Sequence, residues 1–386
     1  MSDRDFDLVV FGATGFTGGM TAEYLARHAP AALRWAIAGR SQAKLEAVKA
    51  RLVQLNPACQ RVATLQASVD DPASLQRMAA KTRVLVTTVG PFIDYGEPVV
   101  RACIDAGTDY IDSTGEPYFV QLLLGRYAEP AAKHGVRVVP SCGFDSIPAD
   151  LGALYTVKQL PSDRPIALSG YLSLDARFSG GTQQSAIKSV VPPAEPIEAP
   201  ARVPTNGRRV HAGPSKVERR KELGKWSSPF PTVDGPTVLR SAATLDRYGP
   251  DFQYSHNALH PSLAVMLLAG LVFGTLGFVA RFKPIRSVLL KLAKQSGHGP
   301  SEAEMKRAWF KLRFIAVCEG KTLQTEVSGG DPGYVETSKM LAESGMCLAQ
   351  DREHLPPRAG VLTPAEAMGE QLLARLQHAG LEFRTL

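Results

Sequence analysis

The chain has 386 residues, 44% of them apolar, and a formal net charge of +7. That length suits two domains, and the apolar share is ordinary for a protein with a real core. Five scattered cysteines with no Cys-x-x-Cys pair give no disulfide framework and no zinc-like spacing, so free thiols in a reducing compartment are expected and no metal.

The first residues, Met-Ser-Asp-Arg-Asp, lack the apolar core of a secretory signal, and a cytoplasmic location is expected. An apolar run ending at Phe11 leads into Gly12-Ala-Thr14-Gly15-Phe16-Thr17-Gly18 and then a helix-like segment at 19–28. Strand, glycine turn and helix in that order present bare backbone N–H groups and a helix N-terminus to a diphosphate. A second apolar strand at 35–38 ends in Gly39-Arg40-Ser41, where a dinucleotide fold reads the ribose. A carboxylate there would repel a 2′-phosphate, whereas Arg40, Ser41 and Lys44 are three donors that can converge on one. The spacing therefore points to NADP(H); the alternative is that Arg40 and Lys44 are solvated residues at a helix start.

Further strands are expected at 61–66, 84–89, 109–112 and 136–140, with helices at 43–55, 72–80 and 98–106 between them. Short buried strands separated by helices give a doubly wound parallel sheet of Rossmann type. Carboxyl ends of such strands form the ligand crevice. Ser68 and Asp70 follow the third strand, where they either meet an adenine or start a helix. Val89, Gly90, Pro91 and Phe92 follow the fourth, and Phe92 either contacts the nicotinamide or is a buried aromatic. Tyr95 and Glu116 are the two candidate proton donors: Tyr95 is otherwise a packed loop residue, and Glu116 otherwise a cap. Cys142, Gly143, Phe144 and Asp145 follow the strand at 136–140 and either face the cofactor or, through Asp145 and Ser146, cap a helix. Hydride transfer needs no nucleophile, so Cys142 is not expected to be one.

After Pro148 the pattern changes. A strand at 166–178 and a turn at 179–182 opening a segment at 183–190 precede residues 192–236, rich in Pro, Gly and charge and expected as a long surface excursion or a mobile flap. Residues 263–280 carry no charge and are followed by Arg281, Lys283, Arg286, Lys291 and Lys294. That length could cross a bilayer, dip into one leaflet or line an apolar tunnel, or be a core helix; a leaflet or tunnel is the preferred reading. Alternation at 310–318 and 321–329 gives a hairpin, and helices are expected at 334–349 and 363–379, the latter capped by Thr363 with Glu366 behind it. Basic residues cluster at 202–225 and 281–294, suited to acidic lipid or the phosphates of a carrier; no nucleic-acid-binding pattern is present.

Several blocks together resemble one family: Gly12–Gly18, Ala38-Gly-Arg-Ser41, Thr87-Thr-Val-Gly-Pro-Phe92, Cys103 to Asp112, Cys142-Gly-Phe-Asp-Ser-Ile-Pro148, Asp331-Pro-Gly-Tyr334 and Gly360-Val-Leu-Thr-Pro-Ala365. The chain resembles the saccharopine dehydrogenase-like oxidoreductases, in particular the trans-acting enoyl reductases. The resemblance implies an NADP(H)-binding Rossmann domain (1–150), an inserted mixed α/β domain facing substrate or lipid (151–330), and C-terminal helices returning to the first domain (331–386). It also implies reduction of an enoyl double bond on a carrier-bound, lipid-like acyl chain, at the inner face of the cell membrane if 263–294 touches lipid. A homodimer is left open. The alternatives are a membrane-associated NADP-binding protein without turnover, or a reductase of another substrate.

Overall fold

A computed structural model describes residues 4–176, 207–282 and 299–386, with a few isolated positions between them. The chain begins with six strands, β1 (Phe6–Phe11), β2 (Trp35–Gly39), β3 (Ala63–Gln66), β4 (Thr82–Thr87), β5 (Asp109–Asp112) and β6 (Arg137–Val139). Helices α1 (Phe16–His28), α2 (Gln42–Leu55), α3 (Pro72–Ala80), α4 (Phe92–Ala106), α5 (Pro117–Arg126) and α6 (Ala128–Lys133) alternate with them. All the strands pair in parallel. Leu8, Val9 and Val10 on β1 are fully buried, as a strand covered by helices on both faces requires.

Helix α7 (Ile147–Val157) carries the chain to a second sheet, built from β7 (Ile166–Asp175), β8 (Arg209–Ala212), β9 (Glu218–Arg220), β10 (Lys225–Pro229), β11 (Asp251–His260), β12 (Trp309–Cys318) and β13 (Lys321–Gly329). Helix α8 (Asp234–Thr244) precedes β11, and α9 (Leu263–Val279) and α10 (Glu302–Arg307) follow it. The chain then returns through α11 (Val335–Gln350), β14 (Gly360–Val361), α12 (Pro364–Ala367), α13 (Gly369–His378) and β15 (Glu382–Thr385). The first sheet runs β14-β6-β5-β4-β1-β2-β3, and the second β15-β13-β12-β7-β11-β10-β9, with β8 also paired to β11. The C-terminal segment therefore supplies more than helices: it adds a strand to each sheet and lays α11 across β1, β4 and β5.

Several expected boundaries move. The described part of 192–236 is not a surface excursion but β8, β9, β10 and the start of α8; these short strands hide little of their surface, so their sequence stays polar. The turn and segment expected at 179–190 lie outside the described residues. Helix α4 begins at Phe92, not at Pro98, and takes in the expected loop around Tyr95. The helix expected at 363–379 is two helices, broken where Gly369 takes a φ of 47°. Thr363 and Glu366 do form the capping box. The apolar run at 263–280 is neither core nor a span. Leu267, Leu268 and Leu271 are 61%, 61% and 67% exposed, and among the described residues no helix is long and apolar enough to cross a membrane.

One buried polar cluster fastens α7 to the C-terminal segment. Asp150 on α7 accepts from Ser241 Oγ at 2.5 Å and from the Ala365 backbone N–H at 2.8 Å, while Arg240 approaches Glu366 at 3.6 Å. Burial, more than the neighbouring Glu366, raises the Asp150 carboxyl to about 7. The folded protein thus keeps a proton that the unfolded chain, titrating near ~3.9, has already released. The Asp150 contribution to stability therefore declines as pH rises from about 4 through about 7. Asp150→Asn keeps an acceptor and a neutral group, and is expected to flatten that decline in urea unfolding measured across this range.

Candidate functional site

The glycine turn between β1 and α1 is shaped by close approach to the end of β4. Gly12 has a φ of 93°, and a Cβ there would lie 2.7 Å from Thr88 Oγ1; a Cβ on Gly18 would lie 2.6 Å from the same atom. Gly15 is the N-cap of α1 and offers no side chain to its first-turn N–H groups, so these stay available to an anion. Thr14 and Gly15 are exposed at the rim. Gly18 is buried, and Thr17 uses its carbonyl to accept from Thr21 and Ser338. The Phe16 ring packs edge-on against Tyr334, 4.9 Å between centroids, so this side chain is partly a structural contact with the returning segment.

The end of β2 lies beside that turn: a Cβ on Gly39 would be 3.6 Å from Thr14 Oγ1. Arg40 and Lys44 are exposed there, and among the described residues neither is in an ion pair. Ser41 caps α2 by accepting from the Lys44 backbone N–H at 3.4 Å, and its hydroxyl hydrogen can still be donated. Asp71, rather than Asp70, caps α3; Asp70 stays exposed, with its carboxylate 3.4 Å from Ser68 Oγ. The donor set fits a phosphorylated adenosine nucleotide: three groups for the 2′-phosphate and an uncapped helix start for the diphosphate.

Two buried carboxylates hold the loops on the other side of the crevice. Glu116 accepts from the backbone N–H groups of Phe92 and Ile93, at 3.0 and 2.9 Å. It is 2% exposed and caps the start of α4, so the proton-donor expectation for Glu116 gives way to a positioning role. Phe92 is likewise corrected: its ring is buried beside Phe119, 5.9 Å away, in the core beneath the loop, while Val89, Gly90 and Pro91 form the surface. Asp112 accepts from the N–H groups of Thr114 and Ser141, both at 2.9 Å, and from Tyr110 Oη at 2.7 Å. Cys142 points inward, fully buried, with Sγ 3.4 Å from the Val139 carbonyl; burial raises its thiol, and its side chain does not face the crevice. Thr337 at the start of α11 accepts from the Phe144 N–H at 3.2 Å and lies against Gly143, pinning this loop to the returning segment.

Next to this loop is a small apolar cavity of about 80 Å³ that opens to solvent. Its walls are Phe144, Leu172, Leu174, Phe230 and Leu312, and at its polar side stand Asp145, Asp234 and His256. The expected cap at Asp145 and Ser146 is absent: Ser146 makes no side-chain cap and lies 3.3 Å from Thr237 Oγ1. Asp145 remains exposed to the opening, its carboxylate so near Gly115 that a Cβ there would be 2.5 Å from Oδ2. Asp145 thus stands between the loop after β5 and the cavity. Tyr95, 41% exposed in the first turn of α4, is not among the cavity walls.

Asp234, His256 and Phe230 escaped the sequence because they sit far apart along the chain and meet only through sheet pairing. The one available signal was the alternation Phe252, Tyr254, His256, which marks the inward face of β11. Glu116→Ala strips two backbone N–H groups of their acceptor. It is expected to cost about 1–3 kcal/mol, read as a lower urea midpoint, with Glu116→Gln falling between alanine and the native protein.

Comparison with known proteins places this architecture. Residues 8–139 match the family model described as the saccharopine dehydrogenase NADP binding domain. A Mycobacterium tuberculosis relative named as a candidate trans-acting enoyl reductase is 38% identical over 99% of this chain and 98% of its own. A mouse relative named saccharopine dehydrogenase-like oxidoreductase is 33% identical over the same shares. The solved apo structure of saccharopine dehydrogenase (L-Glu forming) from Saccharomyces cerevisiae aligns over 98% of this chain and 99% of that one, with a TM-score of 0.56 at 12% identity, a likeness of fold. The chain therefore belongs to the saccharopine dehydrogenase-like oxidoreductases, in the branch of the trans-acting enoyl reductases, and is an NADP-binding member of that family.

Proposed function

We propose that this protein uses NADPH to reduce the enoyl double bond of a lipid-like acyl chain presented on a carrier. The observation that carries the reading is the apolar cavity beside the carboxyl edge of the parallel sheet. Its aliphatic and aromatic walls suit a hydrocarbon chain. Among the described residues no lysine or arginine lines it, which is a poor match for an amino acid with two carboxylates. NADPH, when bound, supplies a hydride to the β-carbon. Arg40, Ser41 and Lys44 would hold its 2′-phosphate and Gly12 to Gly18 its diphosphate, with Ser68 and Asp70 placed toward the adenine. Reduction of an enoyl thioester builds negative charge on the thioester oxygen and then needs a proton at the α-carbon.

The exposed face of α9 supports lipid as the surface from which such a substrate arrives. Seventeen residues make a helix of about 25 Å, short of a bilayer core of about 30 Å. Met266 and Ala280 anchor it while Leu267, Leu268, Leu271 and Phe278 stand in solvent, and the sequence after it is rich in lysine and arginine. An apolar helix with adjoining cations is the pattern of an interfacial anchor on anionic lipid.

Purified protein is expected to consume NADPH only when an enoyl pantetheine thioester is added, faster with longer chains. NADPH binding without consumption on any acyl substrate would favour the non-catalytic alternative. Arg40→Asp removes a charge-assisted contact of about 1.5–3 kcal/mol, so NADPH affinity is expected to fall roughly ten- to a hundredfold with NADH affinity little changed. Replacing Leu267, Leu268 and Leu271 with Ser is expected to release the protein from anionic vesicles in co-sedimentation, with NADPH affinity retained.

A further inference from the structure

We propose that Asp145, backed by Asp234 and His256, is the proton donor of the reduction, delivering its proton where the acyl cavity opens toward the loop after β5. The inference rests on the reductase reading given above. The proposal starts from what surrounds the cavity's polar side. Tyr254 Oη lies 2.9 Å from His256 Nδ1, and Gly170 on the paired strand makes room for it, since a Cβ there would be 2.5 Å from that hydroxyl. With the tyrosine donating, Nδ1 accepts and the ring proton sits on Nε2. That atom is buried without a hydrogen-bond partner, 3.9 Å from Asp234 Oδ2. Asp234 also accepts from Thr232 Oγ1. The imidazole is stacked against Phe230 at 6.0 Å and stays neutral, because burial lowers it to about 4.

The titratable groups that share the cavity wall with Asp145 are Asp234 from α8, whose charge acts on it, and His256 from β11, which stands next to Asp234 with Tyr254 behind; among the described residues no cation lines the cavity. Protein crowding around the Asp145 carboxyl, and after it the charge of Asp234, raise its proton affinity. A carboxyl whose proton affinity is raised and that opens onto an apolar chamber is suited to general-acid work. The balance is simple. The β-carbon gains a hydride with its electron pair, the double bond's pair shifts to form an enolate, and the α-carbon takes the proton of Asp145. The resulting carboxylate regains a proton from water at the cavity mouth. Asp145 is the catalytic residue here; Asp234 is the positioning residue whose charge favours its protonated form, and His256 stands beside Asp234.

Two measurements test this on Asp145→Asn and Asp234→Asn. In the nucleotide-free protein, infrared titration across neutral pH is expected to show, beside the band of Asp150, a protonated-carboxyl component that Asp145→Asn removes and Asp234→Asn shifts to titrate at lower pH. In turnover of an enoyl pantetheine thioester, Asp145→Asn is expected to slow the rate at least a hundredfold and abolish the alkaline limb of the pH profile. Asp234→Asn is expected to move that limb to lower pH. A merely structural pair would leave the limb in place. Native turnover with an unaltered rate and profile in Asp145→Asn overturns the donor assignment alone. No turnover by the native protein with any acyl thioester overturns the reductase reading, and the donor role with it.

Discussion

The crevice depends on one constraint: backbone N–H groups of loops at the carboxyl edge of a parallel sheet must find acceptors without filling the space a ligand needs. Buried carboxylates from neighbouring strands and loops meet it. Glu116 takes two N–H groups at the start of α4, Asp112 takes one from each flanking loop, and Asp331 takes those of Tyr334 and Val335 at the start of α11. Each acceptor sits beneath its loop. The upper surface, around Thr14, Gly15 and Val89 to Pro91, is thereby left open.

The returning C-terminal segment is part of the same device. Thr337 and Ser338 at the start of α11 bond to Phe144 and Thr17, so one helix end touches both the glycine turn and the loop that carries Asp145. The Asp150, Arg240 and Glu366 cluster ties α7 and α8 to the segment on the far side. These contacts tie the second sheet to the first, and the apolar cavity lies on the second sheet beside the loop after β6. Asp145 belongs to the loop joining β6 to α7, where the chain first leaves the first sheet for the second.

How much of this was legible in the sequence follows from whether a residue's role is local. The glycine turn, Arg40 and Ser41 were readable because strand, turn and helix are consecutive and their spacing is set by backbone geometry. The capping box of Thr363 and Glu366 was readable for the same reason. Glu116 and Phe92 could be read two ways, and burial decided for the structural one: a carboxylate 2% exposed between two N–H groups is a cap. Strands β8 to β10 were missed because short strands that hide little surface need few apolar residues. Asp234 and His256 were missed because only pairing across the second sheet brings them to one wall. The apolar run at 263–280 was conspicuous in sequence, but whether it was buried depended on what packed against it; Met266 and Ala280 are buried, while Leu267, Leu268, Leu271 and Phe278 are bare.

The central claim is that an acyl chain occupies the cavity between the two sheets with its thioester toward Asp145. A crystal structure of the protein with NADPH and a saturated acyl pantetheine tests it most directly. The chain is expected between Leu172, Phe230 and Leu312, with the β-carbon facing the nicotinamide across the loop at Gly115. A chain bound elsewhere, or a nicotinamide walled off from this cavity, would contradict it.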